Sequence, residues 1–275
     1  MPVHLEQLIE TISEEKFHDL DFQVMKLAFE VHNQLGRFYD EKIYKNKLAA
    51  ICRANGLTLE TEVVLQLNHK TFSKNLYIDL LLERGAIYEL KAANAIVSDH
   101  RIQTLDYLFL TNIKHGKIIN FRPPSVTYEF VSTGLDLDKR RAFSIHPESW
   151  LHESEPAQHL KSTILELFED WGLFLNTALY KEAVCHLLGG AESVIRPVPI
   201  KSGGSLLGQQ NIPLLSPAES FCISSVTENP SAYQMHLQRF LDCTELKNLH
   251  WINLCRSAVH FTSLRNANCL KLFCP

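Results

Sequence analysis

The stretch Ile78–Asn94, IDLLLERGAIYELKAAN, decides the reading of this chain. Asp79 is followed ten residues later by Glu89, one apolar residue and Lys91. Two strands joined by a turn at Glu83, Arg84 and Gly85 bring these groups to one point. Side chains alternate across a strand, so Glu89 and Lys91 share a face, among Ile87, Leu90 and Ala92. Asp79 then lies beside the pair. Hard divalent cations such as Mg²⁺ take oxygen ligands, which an Asp/Glu pair on adjacent strands offers, and an amine at its edge can orient or deprotonate a bound water.

The flanking sequence supplies a scaffold. Upstream, DFQVMKLAFEVHNQLG places Val24, Leu27, Ala28, Val31 and Leu35 at helical spacing, and Gly36 interrupts it. A second helix starts near Tyr39 and runs to Asn55-Gly56. TLETEVVLQLNHK reads as a strand ahead of those carrying Asp79 and Glu89. SDHRIQTLDYLFLT reads as a helix capped by Ser98 or Asp99, with Gln103 and Tyr107 four apart on one face. The strands GKIINF and VTYEFV follow.

Helix, three strands, helix, two strands, with Asp on the second strand and Glu-x-Lys on the third, resembles the PD-(D/E)xK nuclease superfamily over about residues 20 to 133. Within it the sequence is similar to the GxxExxY family: Leu35-Gly36 and Glu41-Lys42-Ile43-Tyr44 stand at the signature positions, with Phe38 in place of the signature glycine. Gln103-x-x-x-Tyr107 resembles the Q-x-x-x-Y helix motif of RecB-type nucleases. The resemblance implies an α/β (α+β), restriction-endonuclease-like αβββαβ core. It also implies Mg²⁺ or Mn²⁺ held by Asp79, Glu89, the carbonyl of Leu90 and Glu41. Lys91 would position or deprotonate the attacking water, and Gln103 and Tyr107 would hold Lys91 or a substrate phosphate. The implied reaction is phosphodiester hydrolysis. The alternative is a non-catalytic module of the same fold that binds nucleic acid or protein.

The second half echoes the first. LELFEDWGLFLNTALYKEAVCHLL matches AFEVHNQLGRFYDEKIYKNKLAAI, with Gly36 and Tyr44 facing Gly172 and Tyr180 at an offset of 136. Ile78-Asp79-Leu80-Leu81 faces Ile212-Pro213-Leu214-Leu215 at 134, and Asn120 faces Asn253 at 133. In that register Asp79 maps to Pro213, Glu89 to Ile223, Lys91 to Ser225, Glu41 to Thr177 and Gln103 to His236, so the copy is chemically erased. Pro213, lacking an N–H, predicts a smaller second sheet with its strand at an edge, a bulge or a frayed end. The expected organisation is a nuclease-like domain over 1–134, a charged linker over 135–156 and the degenerate repeat over 157–275, with KSGGSLLGQQ as a loop.

A net charge of −4 offers no overall basic field for nucleic acid. Local candidates are Arg37, Lys42, Lys45, Lys47 and Arg53, and Lys114, His115, Lys117 and Arg122. Seven scattered cysteines without a C-x-x-C argue for reduced core thiols rather than zinc ligation or a disulfide framework. The acidic N-terminus lacks an apolar signal segment, and no apolar run reaches membrane-spanning length. The expected location is cytoplasmic, and the expected partner is nucleic acid of unspecified type.

Overall fold

In a computed structural model describing residues 3–5 and 7–270, the chain divides into two units, residues 1–137 and 138–275. In the first, helix α1 (Glu14–Leu35) begins where the Ser13 side chain accepts the Lys16 N–H, and it ends at Gly36, whose φ of 71° suits glycine. Helix α2 (Glu41–Ala54) follows after a short loop. The first sheet runs in the order β1 (Val3–Leu5), β2 (Leu59–His69), β3 (Phe72–Leu82), β4 (Ala86–Lys91), β5 (His115–Asn120) and β6 (Thr127–Ser132). Among its described strands only the β4–β5 pair is parallel, and helix α3 (Ser98–Thr111) makes that crossover. The cap of α3 is Val97, whose backbone N–H is met by His100 Nδ1, rather than Ser98 or Asp99.

The sheet separates two apolar layers. Leu80, Leu82, Tyr88 and Leu90 pack with α1 and α2, whereas Ile78, Leu81, Ile87 and Ile118 pack with Tyr107 and Leu108 of α3. Ile78 and Leu80, two apart on β3, therefore lie on opposite sides. The pleat is broken at Asp79, and Glu62, opposite Asp79 on β2, takes the left-handed φ of 55°. The β3–β4 turn likewise places Glu83 and Arg84 at φ 46° and 56°. Gly85 is small for a different reason: a Cβ there would come within 2.6 Å of the Glu10 carbonyl.

The second unit repeats the order. Helices α5 (Glu155–Trp171), α6 (Thr177–Leu187) and α7 (Ala191–Val194) precede strands β8 (Ile195–Ser202), β9 (Ser205–Ser216) and β10 (Glu219–Ser224). Then come helix α8 (Pro230–Asp242), strands β11 (Asn248–Cys255) and β12 (Ala258–Arg265), and α9 (Ala267–Leu270). Again the one parallel pair around the crossover helix is β10–β11. The fold is thus mixed α/β, a restriction-endonuclease-like core with a second copy.

Local bonds confirm the repeat. Tyr44 donates its hydroxyl to Gly36 O and accepts the Tyr39 N–H; Tyr180 does the same with Gly172 O and the Leu175 N–H. Asn120 accepts from Ala93 N and donates to Ala93 O, as Asn253 does with Val226.

Several expectations need correction. Residues 135–156, read as a joint, contain the helical turn α4 (Leu137–Arg141) and strand β7 (Ser144–Ser149), which pairs in parallel with β12. KSGGSLLGQQ is a hairpin, with Ser202 facing Ser205. The second sheet is as broad as the first, six described strands in the order β7-β12-β11-β10-β9-β8. Of the expected alternatives the strand shows a bulge-like register shift, beside Leu214 and Ser216, within an interior strand in which Pro213 itself pairs with Ile195.

Cys52 and Cys185 are buried thiols, while Cys222, Cys243 and Cys255 are half-buried; Cys274 lies outside the described residues. No described helix is long and apolar enough to cross a membrane.

Candidate active site

Strand β4 is buried almost throughout, and its last residues carry the chemistry. Glu89 is 2% exposed; its Oε1 lies 2.6 Å from Lys91 Nζ, and Oε2 is buried without a hydrogen-bond partner. Burial, then the neighbouring charge of Asp79, pushes the Glu89 carboxyl up to about 8, an increase that Lys91 only partly offsets. Asp79, 7% exposed, accepts the Leu90 N–H at Oδ2 over 2.9 Å, which ties β3 to the strand carrying Glu89. Glu41, at the first turn of α2, reaches the same place. It accepts the backbone N–H of Ala92, and its carboxyl is raised by burial while feeling the charges of Lys91, Asp79 and Lys45.

Gln103 and Tyr107 do come together on α3, Gln103 Nε2 donating to Tyr107 Oη over 2.8 Å. Tyr107 is buried and within electrostatic reach of Glu89, so burial and then that charge raise its hydroxyl. The pair therefore backs Glu89. No described hydrogen bond runs from Gln103 to Lys91.

Two further residues complete the site. Lys45, 6% exposed, points into the cleft: its Nζ lies 2.8 Å from Asp79 Oδ1 and donates also to Glu62. In the sequence Lys45 stood among candidate basic surface residues, and Glu62 was one strand residue among many. The signal for both was cryptic: Lys45 is four residues, one helical turn, beyond Glu41, and Glu62 faces Asp79 only once the strand register is known. Lys117 is likewise no surface residue. It is buried against Asp21 at 2.5 Å and under the rings of Tyr128 and Phe130.

The donor set Asp79, Glu89, Leu90 carbonyl and Glu41 is all oxygen, the chemistry a hard dication requires, and the unpartnered Glu89 Oε2 is a vacant acceptor in its midst. As the side chains stand, no group of three or more His, Cys, Asp or Glu among the described residues converges into a metal cage. Ammonium groups stand against the carboxylates instead: Lys45 on Asp79, Lys91 on Glu89.

The second unit shows what remains without this set. Because Asn120 and Asn253 bracket Ala93 and Val226, and Lys91 and Ser224 pair with those asparagines, the register there is 133. Glu89 therefore corresponds to Cys222 and Lys91 to Ser224, one position before the residues read from sequence. With Ser220 paired to Leu214, Asp79 corresponds to Ile212 rather than Pro213. Ile212, Pro213 and Cys222 line an open pocket of about 260 Å³ with Phe240, the counterpart of Tyr107, and Lys181, that of Lys45. Burial pushes the Cys222 thiol up, as expected of an apolar pocket.

No curated protein matches the chain. A solved structure titled "Crystal structure of SSO0001" is similar at 18% identity and a TM-score of 0.29, too slight to carry an argument. The match covers 34% of this chain and half the length of that one. Residues 18–131, the segment holding every residue of the site from Glu41 to Tyr107, match the family model of the PD-(D/E)XK nuclease superfamily.

Proposed function

We propose that the first unit is a metal-dependent nuclease that hydrolyses phosphodiester bonds of DNA or RNA, with Mg²⁺ or Mn²⁺ as cofactor. The observation that carries this reading is Glu89: a buried carboxyl beside a second one, with one oxygen unpartnered and an ammonium on the other. Burying such a group is costly unless an incoming charge uses it. The superfamily match over the same residues agrees. Tyr44 anchoring the Gly36 carbonyl, one turn beyond Glu41, supports the GxxExxY type.

Asp79, Glu89, Leu90 O and Glu41 would hold the dication, which when bound supplies Lewis acidity and lowers the pKa of its water. Lys91, held charged against the cost of its burial by Glu89 and its other carboxylate neighbours, would orient an attacking water against the phosphate. Gln103 and Tyr107 fix the wall behind Glu89.

Substrate contact has a natural place beside the strand end. A groove of about 320 Å³ is lined by Arg37, Phe38, Asn94, Arg122, Pro123 and Pro124. Arg122 holds the loop by donating to Arg37 O, Tyr39 O and Ala92 O. Neither Arg37 nor Arg122 has a carboxylate partner among the described residues, and both line the groove. The Arg37 guanidinium lies 5.2 Å from the ring of Phe38, which is 80% exposed. Guanidinium and an open aromatic ring are the elements of a phosphate and base contact. The experiment is a cleavage assay with single- and double-stranded DNA and RNA, with Mg²⁺, Mn²⁺ or chelator, beside Asp79→Ala. Metal-dependent cleavage lost in that variant supports the reading, and cleavage that survives it refutes it.

A further inference from the structure

We infer that Lys45 is a tethered counter-ion that holds Asp79 when no metal is bound and passes to Glu62 when a dication enters, so that the chain itself weakens and gates its metal site. This rests on the proposed metal-dependent reading. Asp79 Oδ1 is the oxygen that Lys45 occupies at 2.8 Å, while Oδ2 is held by the Leu90 N–H. Each oxygen of the central carboxylate thus carries a hydrogen bond, and the one on Oδ1 sets a positive charge where a dication would approach Asp79. A unit positive charge fixed within a few ångströms of a partly buried cation site opposes that cation strongly.

The destination of Lys45 is built in. Glu62 already accepts from the same ammonium, and its side chain is about half exposed, against 10% for Asp79. A small rotation of a flexible four-carbon stem moves the charge from the buried carboxylate to the exposed one. Glu62 takes the left-handed φ of 55°, an unfavourable conformation for a residue with a Cβ, and it occupies the position opposite Asp79. The second unit keeps Lys181 at the corresponding place but has Ile212 for Asp79, and among its described residues no ion pair to Lys181 is formed. The Lys45 bridge therefore accompanies the acidic site and is not a requirement of the fold.

The test is Mn²⁺ binding to the full chain, read by titration calorimetry and by the metal-induced rise in melting temperature, for four proteins: unaltered, Lys45→Met, Glu62→Gln and the double variant. Methionine keeps the buried stem without its charge. Lys45→Met is expected to bind Mn²⁺ at least about tenfold more tightly. Glu62→Gln is expected to bind it several-fold more weakly, because Lys45 is left with Asp79 alone. The double variant is expected to match Lys45→Met, since Glu62 acts only through Lys45.

Weaker binding in Lys45→Met, in protein whose metal-free melting shows it folded, would make Lys45 a support for Asp79 and overturn the inference. Equal weakening by Glu62→Gln with and without Lys45 would make Glu62 a ligand and overturn it as well. Absence of Mn²⁺ binding in all four would strike the metal-dependent reading itself. Binding that Lys45→Met leaves unchanged would strike only this one.

Discussion

Leu90 donates its backbone N–H to Asp79 Oδ2 over 2.9 Å, so the residue between Glu89 and Lys91 is also the clamp that sets the second carboxylate beside them. One bond thus fixes the mutual position of three ionisable groups on two strands. Asparagine keeps an acceptor for Leu90, and Lys45 keeps Glu62. Asp79→Asn is therefore expected to cost no more than about 1–2 kcal/mol of stability while removing metal binding and cleavage. Denaturant unfolding and a Mn²⁺ titration check both, and a variant that unfolds in buffer would make Asp79 a structural residue.

The Glu89 carboxyl gives a stability profile in pH. Its folded pKa of about 8 lies above the ordinary 4.5, so the folded state keeps a proton that the unfolded state releases between those values. The corresponding stability is fully present below pH 4.5 and is lost as pH rises through about 8. Metal-free protein should accordingly become less stable from pH 5 to pH 8 by denaturant titration, and Glu89→Gln should flatten that slope. An unchanged slope in the variant would place the titration elsewhere.

Asn120 and Asn253 make matching bonds to the backbone of Ala93 and Val226, with different consequences. Each is buried, and alanine at either position leaves a backbone N–H and C=O without their partner, at about 1–3 kcal/mol. Asn120→Ala also frees the segment just after Lys91 and should lower cleavage at temperatures where the protein is folded. Asn253→Ala should lower stability alone. Equal activity losses would show that the second unit takes part in the chemistry.

The helix-ending glycines separate conformation from crowding. Gly36 and Gly172 share φ near 71°, but a Cβ on Gly36 meets nothing within 4 Å, whereas one on Gly172 comes within 2.8 Å of Arg140 Cβ. Arg140 is buried and donates to the carbonyls of Trp171 and Leu173. Gly36→Ala should cost about 1–3 kcal/mol, because φ 71° with ψ −151° is reached essentially by glycine alone, and Gly172→Ala distinctly more. Melting temperatures of the two variants decide this.

Phe38→Ala removes an exposed ring and should leave the melting temperature unchanged while weakening binding of nucleic acid in chelator. Arg37→Ala should weaken it and reduce its salt dependence by about one phosphate contact. Fluorescence anisotropy across salt concentrations measures both. Affinity unaffected by either change would remove the groove from substrate binding.

Glu89-x-Lys91 and the helix holding Gln103 and Tyr107 were legible because each depends on short-range spacing, and the repeat through Tyr44, Tyr180, Asn120 and Asn253 because its residues keep a nearly constant offset of 133 to 136. Phe38 was legible as a departure from glycine, and its backbone is unstrained; it is its counterpart Phe174 that takes a φ of 75°. Strands β1 and β7 were not legible, since each is short and pairs with residues 60 or more positions away. The one-residue error at Cys222 and Ser224 arose because a register shift between β9 and β10 leaves no mark in hydrophobic periodicity. Lys45 was misread because a lysine on a helix is ordinarily solvated, and only the carboxylates of two strands, 17 and 34 residues away, make its burial tolerable.

An added strand forms one edge of each sheet, β1 beside β2 in the first and β7 beside β12 in the second, and the opposite edges are β6 and β8. Each is unsuited to recruiting another chain. Strand β8 carries Pro197 and Pro199, which have no N–H to offer an incoming strand, and on β6 Glu129 is locked to Arg101 in a two-bond fork. A doubled sheet fold ordinarily doubles the risk of polymerising edge to edge. Here each sheet ends on one flank in its added strand and is blunted on the other, by prolines on β8 and by a pinned carboxylate on β6, which opposes edge-to-edge pairing there.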